Sequence, residues 1–400
     1  MTDVWITGLG VVGPHGLGID AVLEAASAGK TAFTKWPESH APPNASASVG
    51  AVGSFPKEKY FSERQLRQID RVMAMSACAA GLALEDAALD VGAEGDRTAT
   101  FFATSRAERT SMLRFTQPIL EGKPRQLNPA NFPWMARNIA CGQIAVRFGL
   151  RGPSTTLASG SLAALEAVSR AYDFVRLGRV PIAVVGGAEI LSKFALHMLR
   201  HDYGDDCFHS EPSFFGLRPG RLVPSEGACM LVLESAEHAR ARKAAPYARI
   251  DGWDAGRFGR GAWDEGLYGV WSRIPSKVGG ARERIALLSV SSGGSDRAHE
   301  RAETGALQRW ADGVPSAARF CAPRSFAGEG ECWTGLLQVA LAAAALRARR
   351  VPPTWHLAED AAEAVRARAG GGSLDGASAL ISGMEKNGRY SVLHLSGGVG

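Results

Sequence analysis

Two kinds of apolar run alternate along this chain, short β-branched stretches and longer ones spaced for a helix. The opening VWITGLGVVGPHG reads as a buried strand leaving through glycines, and IDAVLEAASAG as a short helix with a glycine stop. Residues 37–57, rich in proline, serine and alanine, predict a surface loop. RQIDRVMAMSACAAGLALEDAAL (67–89) has helical spacing, TATFFAT (98–104) is a strand, and NPANFPWMARNIACGQIAVRFGL (128–150) predicts a proline-bounded helix. A strand-like run at Thr155, Thr156 and Leu157 meets a corner of small residues, with a helix predicted over 162–177. PIAVVGGAE (181–189) and GACMLVLES (227–235) are strands on either side of a long polar loop at 199–224. After about residue 245 the alternation starts again: YARIDGWDAG and RIALLSVSSGG as strands, then WTGLLQVALAAAALRAR (333–349) as a long apolar helix. ASALISGMEKNGRYSVLHLS (377–396) predicts a hairpin around Asn387-Gly388, because both residues accept positive φ. Strands alternating with helices in both halves predict a layered α/β fold.

Composition narrows the function classes. The 400 residues are 46% hydrophobic and 21% charged, enough for a large core. Basic and acidic residues, 45 and 40, are interspersed, and the net charge of +5 is small for this length. The basic runs ARARKAAPYAR (239–249) and LRARRVPP (346–353) read as helix ends, or as a docking patch for an acidic partner, rather than as a nucleic-acid surface. Six cysteines are scattered with no CxxC pair, which speaks against a zinc ribbon or redox motif. The start MTDVWITGLG lacks a basic leader, and no apolar run reaches about eighteen residues, so a cytoplasmic chain without a membrane partner is expected. HDYGDDCFH groups His201, Asp205, Asp206, Cys207 and His209, but its spacing matches no standard metal site; neither metal nor cofactor is expected.

The chemistry concentrates in TTLASGSLAALE (155–166). A side chain at the turn from strand to helix sits where the helix dipole and free N–H groups stabilise an anion. Ser161 is therefore either a nucleophile or a small residue filling the seat of one. A serine hydroxyl is weakly acidic and needs a hydrogen-bonded base.

GLRGPSTTLASGSLAALEAVSRAYDFVRLGRVPIAVVGGAE (149–189), VWITGLGVVGPHG, RPGRLVPSEGACMLVLESAEHARAR (218–242) and VPPTW (351–355) together resemble the β-ketoacyl-acyl-carrier-protein synthases, the ketosynthases of fatty-acid and polyketide synthesis. The resemblance implies the duplicated thiolase fold, a five-layered α-β-α-β-α core. Residues 1–245 would form the half with the nucleophile position, and 246–400 the half with two histidine positions. It also implies a dimer, with contacts near the helix before GLRGPS and the strand after the nucleophile helix.

The family's catalytic set is replaced here. Ser161 stands where a cysteine takes the acyl chain; Ser292, in SVSSGGSDRAHERAE, stands for the first histidine. In RSFAGEGECWTG, Glu329 stands for the second histidine and Arg324 for a lysine. The acid that pairs with that lysine maps to Glu303, which implies a Glu303–Arg324 ion pair; Arg324 is also placed to hold Glu329 ionised. The gating loop reads GMEKNGR (383–389), with Met384 at the position of a phenylalanine and Glu385 and Lys386 after it. Arg106, Glu108 and Phe132 fall at pocket or gate positions, and charged side chains turned inward would close or polarise an acyl tunnel. His299, one turn before Glu303, reads as a solvated helix position.

Decarboxylation builds an enolate that needs preorganised donors or positive charge. Ser292 offers a neutral hydroxyl and Glu329 the wrong sign. The resemblance thus implies a subunit of the chain-length-factor kind, partner of an active ketosynthase in type II polyketide or fatty-acid-like synthesis. It would form a heterodimer, or a homodimer alone, and meet acyl carrier protein. The alternative is a Ser161-dependent acyltransferase or hydrolase on acyl-carrier-protein or acyl-thioester substrates, with His299 or Glu329 acting as base through water.

Overall fold

The computed structural model describes residues 1–35, 48–106, 109–203, 212–215, 221–259, 261–277, 285–291, 297–314, 317–374, 378–385 and 387–398. Ten strands form one continuous mixed sheet: β1 (Val4–Gly13), β2 (Thr98–Ala103), β3 (Ser154–Leu157), β4 (Ile182–Glu189), β5 (Gly227–Ser235), β6 (Ala248–Arg257), β7 (Ile285–Val290), β8 (Arg319–Cys321), β9 (Ser378–Met384) and β10 (Arg389–Ser396). The short strand Gly16–Leu17 folds back on the end of β1. Along the sheet the order is β8-β7-β9-β10-β6-β1-β5-β4-β2-β3. The first five strands in sequence are arranged 3-2-4-5-1 and the last five repeat that order. Pairing repeats as well: β2 is parallel to β3 and β4, as β7 is to β8 and β9, and the remaining pairs within each set are antiparallel. The two sets join where Val4–Ile6 of β1 pairs antiparallel with Ala248–Ile250 of β6.

Helices fill the layers. α1 (Arg71–Asp86) and α3 (Ile139–Phe148) cover one outer face; α5 (Trp263–Lys277) and α6 (Arg297–Gly313) cover the other. Between the two sheet halves lie α4 (Ala163–Arg176) and α7 (Cys332–Ala348). The fold is the five-layered thiolase fold. Every residue of α7 from Cys332 to Leu346 is buried, which explains why its sequence lacks a polar face. α1 lies hard against β1 because both are made of small residues: a Cβ at Gly8 would stand 2.2 Å from the Ala83 carbonyl oxygen, and one at Gly10 2.0 Å from that of Ala79. The core also holds Glu234, fully buried on β5 and bound by Arg242 Nε at 2.8 Å, His238 Nδ1 at 2.6 Å and the Thr7 hydroxyl. Burial pushes this carboxyl up, but Arg242, Thr7 and His238 outweigh it and hold it below its ordinary value.

The helix expected over 128–150 is two elements, a 3-10 stretch at Pro129–Met135 and α3. Pro133 has no N–H to donate inside the first, so regular helix starts only beyond it. The polar loop expected from 199 includes the end of a helix, Lys193–Tyr203. Asn387-Gly388 does turn between β9 and β10, with Gly388 at φ 80°. Among the described residues no single helix is long and apolar enough to cross a membrane.

Candidate functional site

The loop after β3 carries Ala158–Ser161, and α4 begins at Ala163 with Leu162 as its cap. Gly160 sits at φ 97°, a conformation that side chains disfavour, and it bends the chain so that Ser161 faces the end of β9. There the Ser161 hydroxyl donates to Glu385 Oε1 at 3.4 Å, and the Leu162 N–H donates to the same oxygen at 3.3 Å. A Cβ on Gly160 would stand 2.4 Å from that oxygen. The other Glu385 oxygen accepts from Asn387 Nδ2 at 3.3 Å and lies 3.4 Å from Arg389 Nη1. Arg389 also donates to the Ser159 carbonyl at 3.0 Å and pairs with Glu166, which receives the Ser159 hydroxyl.

A second set of charges lies where the second sheet half meets α7. Arg324 pairs with Glu329 at 2.8 Å, and Glu329 Oε1 accepts the Glu331 N–H at 2.7 Å. Glu331 precedes α7 at φ 45°, ψ −105°, outside the regions that non-glycine residues favour, and Arg106 grips it with two N–H···O bonds of 2.9 and 2.7 Å. Glu189, at the end of β4, accepts the N–H groups of Ser105 and Arg106 and the Thr104 hydroxyl. Burial pushes the Glu329 carboxyl up, with Glu331 adding to the shift and Arg324 opposing it. Cys332 donates its thiol to the Gly160 carbonyl at 3.4 Å. Burial, with Glu189, Glu331 and Glu385 around it, pushes that thiol well above its ordinary value, so it is no substitute nucleophile. Trp333 fills the space beneath, its indole N–H on Ser225 at 3.2 Å.

Several expected positions meet here and others do not. Ser161, Arg106, Arg324 and Glu329 lie in these networks, and Met384 is buried at the end of β9, next to Glu385. The Glu303–Arg324 pair is not formed among the described residues. Arg324 pairs with Glu329, while buried Glu303 accepts the Ser291 N–H at 3.0 Å and its hydroxyl at 2.9 Å. His299 is 5% exposed rather than solvated, because α6 turns it toward the protein interior. Phe132 is 61% exposed on the 3-10 stretch, against the edge of Phe115. Ser292, Glu108 and the residues 205–209 lie outside the described residues. Glu385 is the partner of Ser161 that the sequence did not flag. Its only sequence mark was its place after Met384, 224 residues from the serine it touches.

Chemically the corner is poor in what condensation needs. The described partner of the Ser161 hydroxyl is a carboxylate already engaged by an arginine, and the Glu189, Glu331 and Glu385 carboxylates lie around the neighbouring Cys332. Next to the Glu385–Arg389 turn a cavity of about 1170 Å³ opens, lined by Arg257, Phe258, Trp263, Asp264, Arg301 and Asn387.

Comparison with known proteins agrees with this architecture. The granaticin polyketide synthase component described as beta-ketoacyl synthase 1, from Streptomyces violaceoruber, is 27% identical over 372 residues, 88% of each chain. The solved ishigamide ketosynthase/chain length factor superposes with a TM-score of 0.87 at 20% identity over 99% of both chains. A type II polyketide ketosynthase, bound to the hexaketide and in complex with its acyl-carrier protein, superposes at 0.84, also with 20% identity over 99% of both chains. The model of the beta-ketoacyl synthase N-terminal domain matches residues 1–239, and the chain belongs to the beta-ketoacyl synthase family.

Proposed function

We propose that this ketosynthase-like chain is the non-condensing subunit of a pair, the chain-length-factor type of partner for an active ketosynthase in type II polyketide or fatty-acid-like synthesis. The observation that carries this reading is the sign of the charge at the corner. Glu385 stands on Ser161 and the α4 N-terminus, and Glu329 holds a position that would need a donor. Among the described residues this corner offers a serine in place of a thiol, and the carboxylate on it is held by Arg389.

The surface supports partnership. β3 is the outer edge of the sheet, with Ser154 and Thr155 exposed and no charge along Ser154–Leu157. β4, expected near the contact, is instead buried between β2 and β5. Beside β3 lies α3, with Val146 79% exposed; the Phe132 stretch packs on α3, and α2 (Arg109–Leu120), with Leu120 75% exposed, packs on that stretch. An uncharged open edge flanked by exposed apolar side chains favours a strand-to-strand interface. The two arginines of the cavity, Arg257 and Arg301, suit the docking of an acidic carrier protein.

The test is reconstitution with an active type II polyketide ketosynthase from the same organism. Co-purification as a 1:1 complex, and product formation that requires both chains, support the reading; full activity of the ketosynthase alone, with no complex, overturns it. A second reading rests on the Ser161–Glu385 hydrogen bond, which puts a carboxylate in reach of a serine. Intact mass after incubation with acyl-carrier proteins and acyl-thioesters, beside Ser161→Ala, decides it: an adduct that vanishes in the variant makes this a serine acyltransferase or hydrolase.

A further inference from the structure

The anion seat at the start of α4 is already taken by the chain itself. A corner of this kind works as an acyl site because the first N–H groups of the helix await a developing oxyanion. Here the Leu162 N–H is given to Glu385 Oε1 at 3.3 Å, and Ser161 Oγ lies 3.4 Å from the same oxygen. The occupation is built from both sides. Gly160 leaves room for the carboxylate that any Cβ would fill. From the far side, Arg389 and Asn387 hold the second oxygen, and Arg389 clamps the corner through the Ser159 carbonyl at 3.0 Å and through Glu166. The hairpin closes on itself, with the Glu385 N–H on the Arg389 carbonyl at 2.9 Å and the Gly388 N–H on the Glu385 carbonyl at 2.9 Å.

We propose that Glu385 is a built-in anionic plug: its carboxylate occupies the place of an acyl oxyanion and, pinned by Arg389, shuts the Ser161 corner against acyl groups. This deepens the subunit reading and rests on it, because a plugged corner is of use to a chain whose task is not acyl transfer. The plug is part of the same hairpin that carries Met384, so the segment at the gate position is tied to the corner and not free to swing from it.

A thiol reports the field at that spot. In Ser161→Cys, a carboxylate at the observed distance keeps the thiol protonated, and neutralising it raises the thiolate fraction about tenfold, even with water-like screening. The measurement is the rate of iodoacetamide labelling of residue 161 at pH 7.5, read by peptide mass, in S161C and in S161C/E385Q, both in the full chain. Gln is isosteric, and Arg389 retains Glu166, so the fold is expected to hold; S161C/E385D, with the carboxylate withdrawn by one methylene, is the second variant. A rise of about threefold or more in the Gln variant, with Asp between, supports the plug; a smaller rise in both overturns it. The ketosynthase reconstitution above involves no change at Glu385, so either experiment can fail while the other stands.

Discussion

Arg106 and Glu331 come from opposite halves of the chain, and the bond between them makes a measurable prediction. Their side chains are 12% and 7% exposed and meet through two parallel N–H···O bonds. Replacing Arg106 with methionine keeps most of the volume and removes the charge, leaving the Glu331 carboxylate near Glu329 with a partner lost. Breaking one side of a buried pair costs about 3–5 kcal/mol, and the remaining exposure of Arg106 brings the expectation to about 2–4 kcal/mol. Glu331→Met alone takes this partner from the guanidinium, but it also relieves the repulsion on Glu329, so it should cost less. The double variant R106M/E331M removes both charges and should recover at least about 2 kcal/mol relative to the sum of the singles. Urea unfolding followed by far-UV circular dichroism, with slopes compared between variants, gives the cycle. A cost below about 1 kcal/mol for R106M, or a coupling below about 0.5 kcal/mol, would refute the claim that this pair fastens α7 to the end of β2.

Three further outcomes are expected. Trp333→Ala empties a fully buried indole site and should lower stability by about 3–5 kcal/mol in the same urea assay. Glu234 is held below its ordinary 4.5, so the stability it gives is present above that pH and lost as acid protonates it; Glu234→Gln should flatten the fall in urea midpoint as the pH drops below about 4.5. Phe132→Asp with Val146→Asp should leave the unfolding free energy of the isolated chain within about 0.5 kcal/mol of wild type and abolish co-elution with the ketosynthase on gel filtration.

The elements that depend on neighbours in sequence were legible. β1, α7 and the Asn387-Gly388 hairpin show their periods and turn residues directly, and the corner at Ser161 announces itself by small residues between a strand and a helix. What was not legible is which charge meets which. Glu303 and Glu329 both compete for Arg324 in a linear reading; in the fold Arg324 pairs with Glu329, and Glu303 accepts from Ser291. Glu385 and Arg106 reach their partners across 224 and 225 residues. A side chain's choice among several carboxylates is set by packing, which periodicity does not encode. Pro133 misled for a local reason: the apolar spacing over 128–150 continued through a residue that cannot donate.

The shared middle layer has a consequence for how this protein is made. α4 is complete at Arg176, yet α7, the helix that covers it, begins only at Cys332. Between those points the ribosome adds roughly 150 residues, which at about 5–20 residues per second takes on the order of ten to thirty seconds. Throughout that interval the side of α4 that α7 will meet, and the part of β4 and β5 that α7 will cover, have no cover, although the strands that will form that half are largely synthesised. The nascent chain is therefore an aggregation hazard with a fixed duration, and a chaperone acting during synthesis has a defined target: the apolar surface waiting for α7.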